Sequence, residues 1–255
     1  MARIKEILRF LLFPILHSVR AIIRVILHHA IPRKEPELPN NSFPYPHTAF
    51  GKLEKEESEK CYNHFKKYFK NTIFLDVIEI RVYAMKRAIL NDDKQDKNYI
   101  EFGVWKGKTV NLFSNFLKTK IYAFDSFVGM REDWTGGSRA YFGTFDEEGK
   151  IPKLNKNVIP IKGWVQDTLP EFLKNNEKKI NFIHMDMDTY ITSKFILEQT
   201  KPYLTKGCII LFDQLFNFNG WDVGEYKALT ETFDENEYSF LSFSIEGQQA
   251  VIQIL

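Results

Sequence analysis

The eleven residues from Tyr99 to Thr109, reading Tyr-Ile-Glu-Phe-Gly-Val-Trp-Lys-Gly-Lys-Thr, narrow the folds open to this chain more than any other stretch. They begin as an apolar, strand-forming run, pass Gly103 and Gly107, and lead into Val110, Leu112, Phe113, Phe116 and Leu117 at helical spacing. The order predicts strand, glycine turn and helix. Glycines let the backbone turn tightly and approach a ligand, and a helix starting near Gly107 offers unpaired N–H groups to it. A second strand, Lys120 to Asp125, ends in an acid 22 positions after Gly103.

An acid about 20 residues beyond the first glycine, at the tip of the next strand, is where nucleoside-binding α/β folds hold the two ribose hydroxyls. The spacing points to a nucleoside-bearing cofactor, although a βαβ unit without a ligand shares the pattern. The third glycine of the dinucleotide fingerprint is missing, and Glu101 stands in the turn region instead. A carboxylate there repels a diphosphate and attracts an ammonium or sulfonium group, which favours S-adenosylmethionine.

A chain of 255 residues, 44% hydrophobic, is long enough for one α/β domain with an extension. Its net charge of +2, with no nucleic-acid-reading motif, argues against a dedicated nucleic-acid partner. Cys61 and Cys208 lie far apart, and Cys208 sits in an apolar strand pattern. Cys208 is therefore expected to be a buried thiol, and no disulfide framework is implied, which fits a cytoplasmic setting.

Residues 1 to 31 differ from the rest. Ile4, Leu8, Leu11, Ile15, Val19, Ile22 and Ile26 form one stripe and Arg9, Arg20 and Arg24 lie in a second row opposite it, the pattern of a basic amphipathic helix kinked at Pro14. Each arginine at mid-bilayer would cost roughly 2.5–3.5 kcal/mol, so the helix is expected to lie on the inner face of a membrane rather than span it. Packing on its own domain or on a partner would use the same stripe. Residues 32 to 50, with Pro32, Pro36, Pro39, Pro44 and Pro46, read as a semi-extended linker. Residues 51 to 98 read as a helical preface, with helical spacing over 53 to 90, and 99 to 255 as the catalytic-type α/β domain.

Beyond Asp125, some 25 residues to Gly149 lack periodicity and suggest a lid, where Trp134, Arg139, Tyr141 and Phe142 either meet a substrate or pack on their own loop. A strand at 157 to 162 leads to a helix near Thr168, with Asp167 placed as its N-cap or as a contact to adenine. The strand from Ile180 ends in Asp186 and Asp188, which extended chain would put on one face. A helix follows from Ile191 to Tyr203, then a strand to Asp213. If the two strands are parallel neighbours, Asp186 and Asp213 stand about 5 Å apart at the ligand-binding edge. Clustered carboxylates suit a hard divalent cation, or they cap helices and face water.

The stretches Glu101-Phe-Gly-Val-x-x-Gly-Lys-Thr, Phe124-Asp-Ser-Phe-x-Gly, Gly163-x-x-x-Asp-Thr-Leu-Pro, His184-x-Asp-x-Asp-x-Tyr, Phe212-Asp and Gly220-Trp-x-x-Gly-Glu-Tyr-Lys-Ala together resemble the macrocin O-methyltransferase family, over roughly residues 70 to 255. These are class I S-adenosylmethionine-dependent enzymes that include macrolide-sugar and aminocoumarin-sugar O-methyltransferases. The resemblance implies a Rossmann-like, seven-stranded, mostly parallel sheet with helices on both faces, its last strands at 238 to 243 and 248 to 254. It implies cofactor contacts at Glu101, Gly103, Gly107, Thr109, Asp125, Ser126, Asp167 and Asp186, magnesium at Asp186 and Asp213, and a base at Asp188. The antibiotic-sugar enzymes carry a further acid where this chain has Gln214; an amide oxygen can still ligate magnesium, but with one charge fewer.

The acceptor implied is a sugar or glycan hydroxyl, and the amphipathic helix extends that to a lipid-linked one; a second copy of the chain, as a homo-oligomer, is also among the expected partners. Two other classes stay open: a nucleotide-sugar glycosyltransferase using Asp186-x-Asp188, and a catalytically silent, membrane-tethered interaction module. For the N-terminus, the full chain is expected to co-sediment with anionic vesicles at low salt, while a chain lacking residues 1 to 31 stays folded and does not; full-length protein left in the supernatant would assign the helix to the fold or to a partner.

Overall fold

The computed structural model describes residues 47–136 and 140–255. The chain divides into two units, 1–48 and 49–255, and the second holds every described helix and strand. The expected amphipathic helix at 1–31, the linker up to residue 46 and Arg139 lie outside the described residues. Among the described residues no helix is long and apolar enough to cross a membrane.

The stretch read as one helical preface is two helices with a strand between them. Helix α1 (Ala49–Phe69) begins inside the span expected to be linker and buries Cys61 and Phe65. Strand β1 (Ile73–Leu75) follows, and helix α2 (Val77–Leu90) starts at a capping box: Asp76 Oδ1 accepts from Ile78 N and Glu79 N at 2.8 Å each, while Glu79 reaches back to Asp76 N. That box fixes a new helix start at Asp76, which a window of helical spacing alone does not show.

Next come β2 (Asn98–Phe102), α3 (Lys108–Ser114), β3 (Ile121–Asp125), β4 (Val158–Lys162), α4 (Val165–Asn175), β5 (Ile180–Met185), α5 (Tyr190–Thr200), β6 (Leu204–Phe212), α6 (Glu225–Thr232), β7 (Tyr238–Ser244) and β8 (Ala250–Ile254). The sheet has eight strands rather than seven, in the order β1-β7-β8-β6-β5-β2-β3-β4, the short β1 adding an edge beside β7. All pairs are parallel except those of β8 with β6 and β7. The order reverses between β2, which β3 and β4 extend on one side, and β5 on the other. Open α/β sheets bind ligands at such a switch point, beyond the C-terminal strand ends.

Strands β2 and β5 are buried throughout and alternate between two cores. Ile100, Phe102, Ile183, Met185, Ile210 and Phe212 pack with α1, α4 and α6 on one face. Tyr99, Phe182, Ile209 and Leu211 pack with Ile80, Ala84 and Met85 of α2 on the other. Period-2 alternation therefore also decides where the polar exceptions go: Glu101 and His184, register partners across β2 and β5, lie on the α2 side.

At the switch point Gly103, at φ +83°, lies so close to the neighbouring strand end that a Cβ would stand 1.8 Å from the Asp186 carbonyl oxygen. Gly103→Ala adds overpacking to left-handed strain and is expected to lower stability by on the order of 3 kcal/mol, read as a shifted denaturant midpoint; an unchanged midpoint would contradict this packing.

Candidate active site

Five strand tips are laced by four backbone bonds, each donated by the first residue past the end of a strand. Gly103 N donates to Phe124 O at 3.0 Å, Asp186 N to Phe102 O at 3.0 Å, Asp213 N to Met185 O at 2.9 Å and Gly163 N to Asp125 O at 3.0 Å. The expected site residues are thereby brought to one edge, around a cavity of about 410 Å³, within the roughly 300–1,000 Å³ usual for small-molecule sites. Gly103, Thr109, Asp125, Ser126, Asp186, Asp188, Asp213 and Gln214 all line it, and so do residues to which no role was assigned from the sequence, among them Arg81, Trp164 and Gln166.

Three expected cofactor contacts sit elsewhere. The Glu101 side chain is fully buried, with Oε2 3.4 Å from His184 Nδ1, because strand alternation turns it into the α2 core rather than toward the turn. Gly107, the N-cap of α3 at φ +73°, serves the turn: a Cβ there would meet Leu154 Cδ2 at 2.6 Å, and it is Lys108 and Thr109 that reach the cavity. Asp167 is exposed in the first turn of α4, which starts three residues earlier than expected, with Trp164 as N-cap. Gly163 to Gln166 line the cavity instead.

Asp125 does line the cavity, but its carboxylate also ties down the glycine turn. Oδ2 accepts from Val104 N and Trp105 N, both at 2.7 Å, and Oδ1 accepts from Phe127 N at 2.7 Å. A carboxylate has about four acceptor positions, so about one is left for a ribose hydroxyl.

The acid end differs in detail from its sequence reading. Strand β5 stops at Met185, so Asp186 and Asp188 do not share a face of extended chain. Thr189 N donates to Met187 O at 2.6 Å, closing a tight turn about Asp188, which has φ +60°. A non-glycine residue held there is strained, and such strain gathers at functional sites. Asp188 is 8% exposed, and burial together with the Asp213 charge pushes its carboxyl up to about 7.

Asp186, Asp213 and His184 each offer a ligand atom within 4.8 Å of the others, as the strand register leads one to expect for the two acids. Asp213 is already engaged. Its Oδ1 accepts from Arg81 Nη2 at 2.8 Å and Gln249 Nε2 at 3.0 Å, and His184 Nε2 lies at 3.5 Å. Its Oδ2 accepts from Gln214 Nε2 at 3.0 Å, and that same amide nitrogen donates to Asp186 Oδ1 at 3.3 Å. Burial would raise Asp213, but His184 and Arg81 hold it below the usual carboxylate range, while burial and the Asp213 charge lift Asp186 well above it. Burial lowers His184, yet Asp213 and Glu101 on its two sides bring it to about 10. The magnesium ion expected at Asp186, Asp213 and Gln214 thus meets hydrogen-bond donors where its charge would go, and this arrangement does not fit a hard cation.

Glu225, also without an assigned role, is fully buried at the start of α6. Its Oε2 accepts from Gln214 N at 3.1 Å and Oε1 from Met187 N at 3.5 Å, so one carboxylate braces both acid-bearing turns. In the segment after Asp125 that the sequence suggested as a lid, Met130 N donates to Thr144 O, and Gly143 N to Met130 O, at 3.0 Å each. Trp134 lines the cavity, Arg131 stacks 4.1 Å over the Trp164 ring, and Tyr141 and Phe142 are exposed and do not reach the cavity wall. Arg81 and Gln249 had no signal in the sequence, since each meets Asp213 only through tertiary packing.

Residues 100–215 match the protein-family model described as a methyltransferase domain. No curated protein sequence matches the chain. Among solved structures, the crystal structure of CalS11, a calicheamicin methyltransferase, is similar at a TM-score of 0.57 and 24% identity, over 68% of this chain and 77% of that one. The apo structure of CalS11, described as a TDP-rhamnose 3'-O-methyltransferase of calicheamicin biosynthesis, gives a TM-score of 0.52 and 21% identity, over 69% and 77%. At these identities the likeness is one of fold, and it does not single out the macrocin enzymes. The chain has a Rossmann-like methyltransferase fold, and its match to the methyltransferase domain spans the glycine turn, Asp125 and all four acid-end residues from Asp186 to Gln214.

Proposed function

We propose that this chain is an S-adenosylmethionine-dependent O-methyltransferase acting on a hydroxyl of a sugar or glycoconjugate, with Asp188 as its general base. One observation carries the reading: a single cavity at the sheet's switch point joins the glycine turn and Asp125 to the strained, buried Asp188, inside the stretch that matches a methyltransferase domain. The sugar comes from the sequence resemblance and from the description of CalS11, and a lipid-linked acceptor at a membrane from residues 1 to 31.

The residues on the cavity wall fit such a cofactor. Gly103 brings the β2 turn close to the β5 tip, Asp125 retains an acceptor position for a ribose hydroxyl, and Gln166 offers a buried Oε1 that has no hydrogen-bond partner among the described residues, suited to an amine at the edge of an adenine. Bound there, S-adenosylmethionine supplies an electrophilic methyl group on a sulfonium. The protein's part is to orient the acceptor oxygen in line with that methyl and to take its proton. A sugar hydroxyl is far too weak an acid to ionise unaided near neutral pH, so a base within hydrogen-bond reach is required. Asp188 is the acid on the wall whose backbone is held out of the strand, and Glu225 fixes the turn that carries it. No step here passes through a metal.

Three measurements test the reading. Calorimetric titration should show binding of S-adenosylhomocysteine and not of a nucleotide-diphosphate sugar; the reverse would make the chain a glycosyltransferase, and binding of neither a silent module. Asp188→Asn should keep affinity for S-adenosylhomocysteine while turnover, followed by labelled methyl transfer to a sugar acceptor, falls on the order of 10²–10⁴-fold; methylation at the wild-type rate would remove Asp188 from the role. Asp125→Ala is expected to weaken S-adenosylhomocysteine by about 1.5–3 kcal/mol, and full affinity in that variant would remove the ribose assignment.

A further inference from the structure

We propose that the Arg81 guanidinium and the Gln214 amide stand in this chain where a divalent cation would otherwise bridge Asp186 and Asp213, so that the acceptor hydroxyl is bound and deprotonated without a bound metal. The inference rests on the methyl-transfer reading, and it goes beyond it by separating this site from a cation-assisted one.

Two observations support it. First, the space that a shared ligand of Asp186 and Asp213 would take holds one amide nitrogen, Gln214 Nε2, donating to Asp186 Oδ1 at 3.3 Å and to Asp213 Oδ2 at 3.0 Å. A hard cation needs both oxygens' lone pairs for itself, and here they are spent on N–H groups. Second, positive charge is already delivered: Arg81 reaches from α2 to Asp213 Oδ1 at 2.8 Å, the two side chains being only 17% and 14% exposed. Screening is weak in such a setting, so a dication placed against Asp213 would face the guanidinium as well as the carboxylate.

The chemistry balances without a metal. The acceptor O–H proton passes to the Asp188 carboxylate, the freed oxygen lone pair forms the O–CH₃ bond, and the C–S bonding pair returns to sulfur, leaving the thioether. Arg81 and Gln214 touch Asp213 and Asp186 rather than the reacting atoms, so they are positioning residues. Their part is to keep two crowded carboxylates in place next to the acceptor.

The test is Mn²⁺ binding to the full chain, followed by the electron paramagnetic resonance signal of free Mn²⁺, with and without S-adenosylhomocysteine. Wild-type protein is expected to show no saturable site tighter than about 1 mM, the weak end of protein sites for hard cations. The double variant Arg81→Met, Gln214→Asp, which removes the cation and restores an acid, is expected to gain at least ten-fold in Mn²⁺ affinity; Gln214→Asp alone, which keeps the Arg81 pair, serves should the double variant not fold. One equivalent of Mn²⁺ bound by the wild type below about 1 mM and lost in Asp213→Asn would overturn the proposal, as would a folded variant with no gain. Binding of S-adenosylhomocysteine by calorimetry reports separately on the methyl-transfer reading, so that a metal-binding methyltransferase and a protein that is no methyltransferase give different results.

Discussion

The site depends on the backbone bonds that continue the parallel ladder one residue past the strands. Because Phe102 O holds Asp186 N and Met185 O holds Asp213 N, the first loop residues of adjacent strands are fixed side by side before any side chain is considered. Parallel ladders have evenly spaced, slanted bonds, so each strand end presents its next residue at the same edge of the sheet. The same lacing holds Gly103 against Asp186 so closely that no side chain fits between them. Cofactor side and acid side are therefore one rigid edge.

Crowding carboxylates at such an edge creates an electrostatic difficulty, and the fold answers it from beneath. Arg81, Asp213, His184 and Glu101 form an alternating line of charge running from the cavity wall into the α2 core, with contacts of 2.8 Å, 3.5 Å and 3.4 Å. Removing one member would leave another as an unpaired buried charge, which is why such a line is retained or lost as a unit. The line separates the acids by their surroundings: Asp213 is held below the usual carboxylate range by His184 and Arg81, whereas Asp188 has only burial and a like charge beside it. A carboxyl poised near neutrality suits proton transfer, while a firmly ionised one suits holding neighbours in place.

Much of this was legible in the sequence. The glycine turn after an apolar strand and the acid at the tip of the next strand are local patterns, set by backbone conformation and by period-2 burial, and each lies where its pattern placed it along the chain; the Asp186-x-Asp188 pair also reaches the cavity, but from a turn past the end of β5 and not from one face of the strand. Local patterns fail where two segments compete for the same role. The run from 53 to 90 has helical spacing throughout, yet β-prone Ile73–Leu75 finds an open edge at β7, and Asp76 restarts the helix. Asp167 reads as an N-cap, but the helix starts at Val165, two residues ahead of it, and places Asp167 inside its first turn.

What the sequence by itself determined is therefore the fold class, the edge at which the cavity lies and the acids and glycine turn that stand on its wall. Tertiary structure alone decided what those residues do for one another. Arg81 stands 132 positions from Asp213, and Gln249 36 positions from it, distances across which no spacing rule operates. It decided that Glu101 faces a histidine and not the cofactor turn, because the parity of β2 against β5 is fixed only once the strands pair. It also decided that the acids at Asp186 and Asp213 meet an amide and a guanidinium. The charge of a site is a sum over whatever packing brings within a few ångströms, and one-dimensional order does not contain that sum.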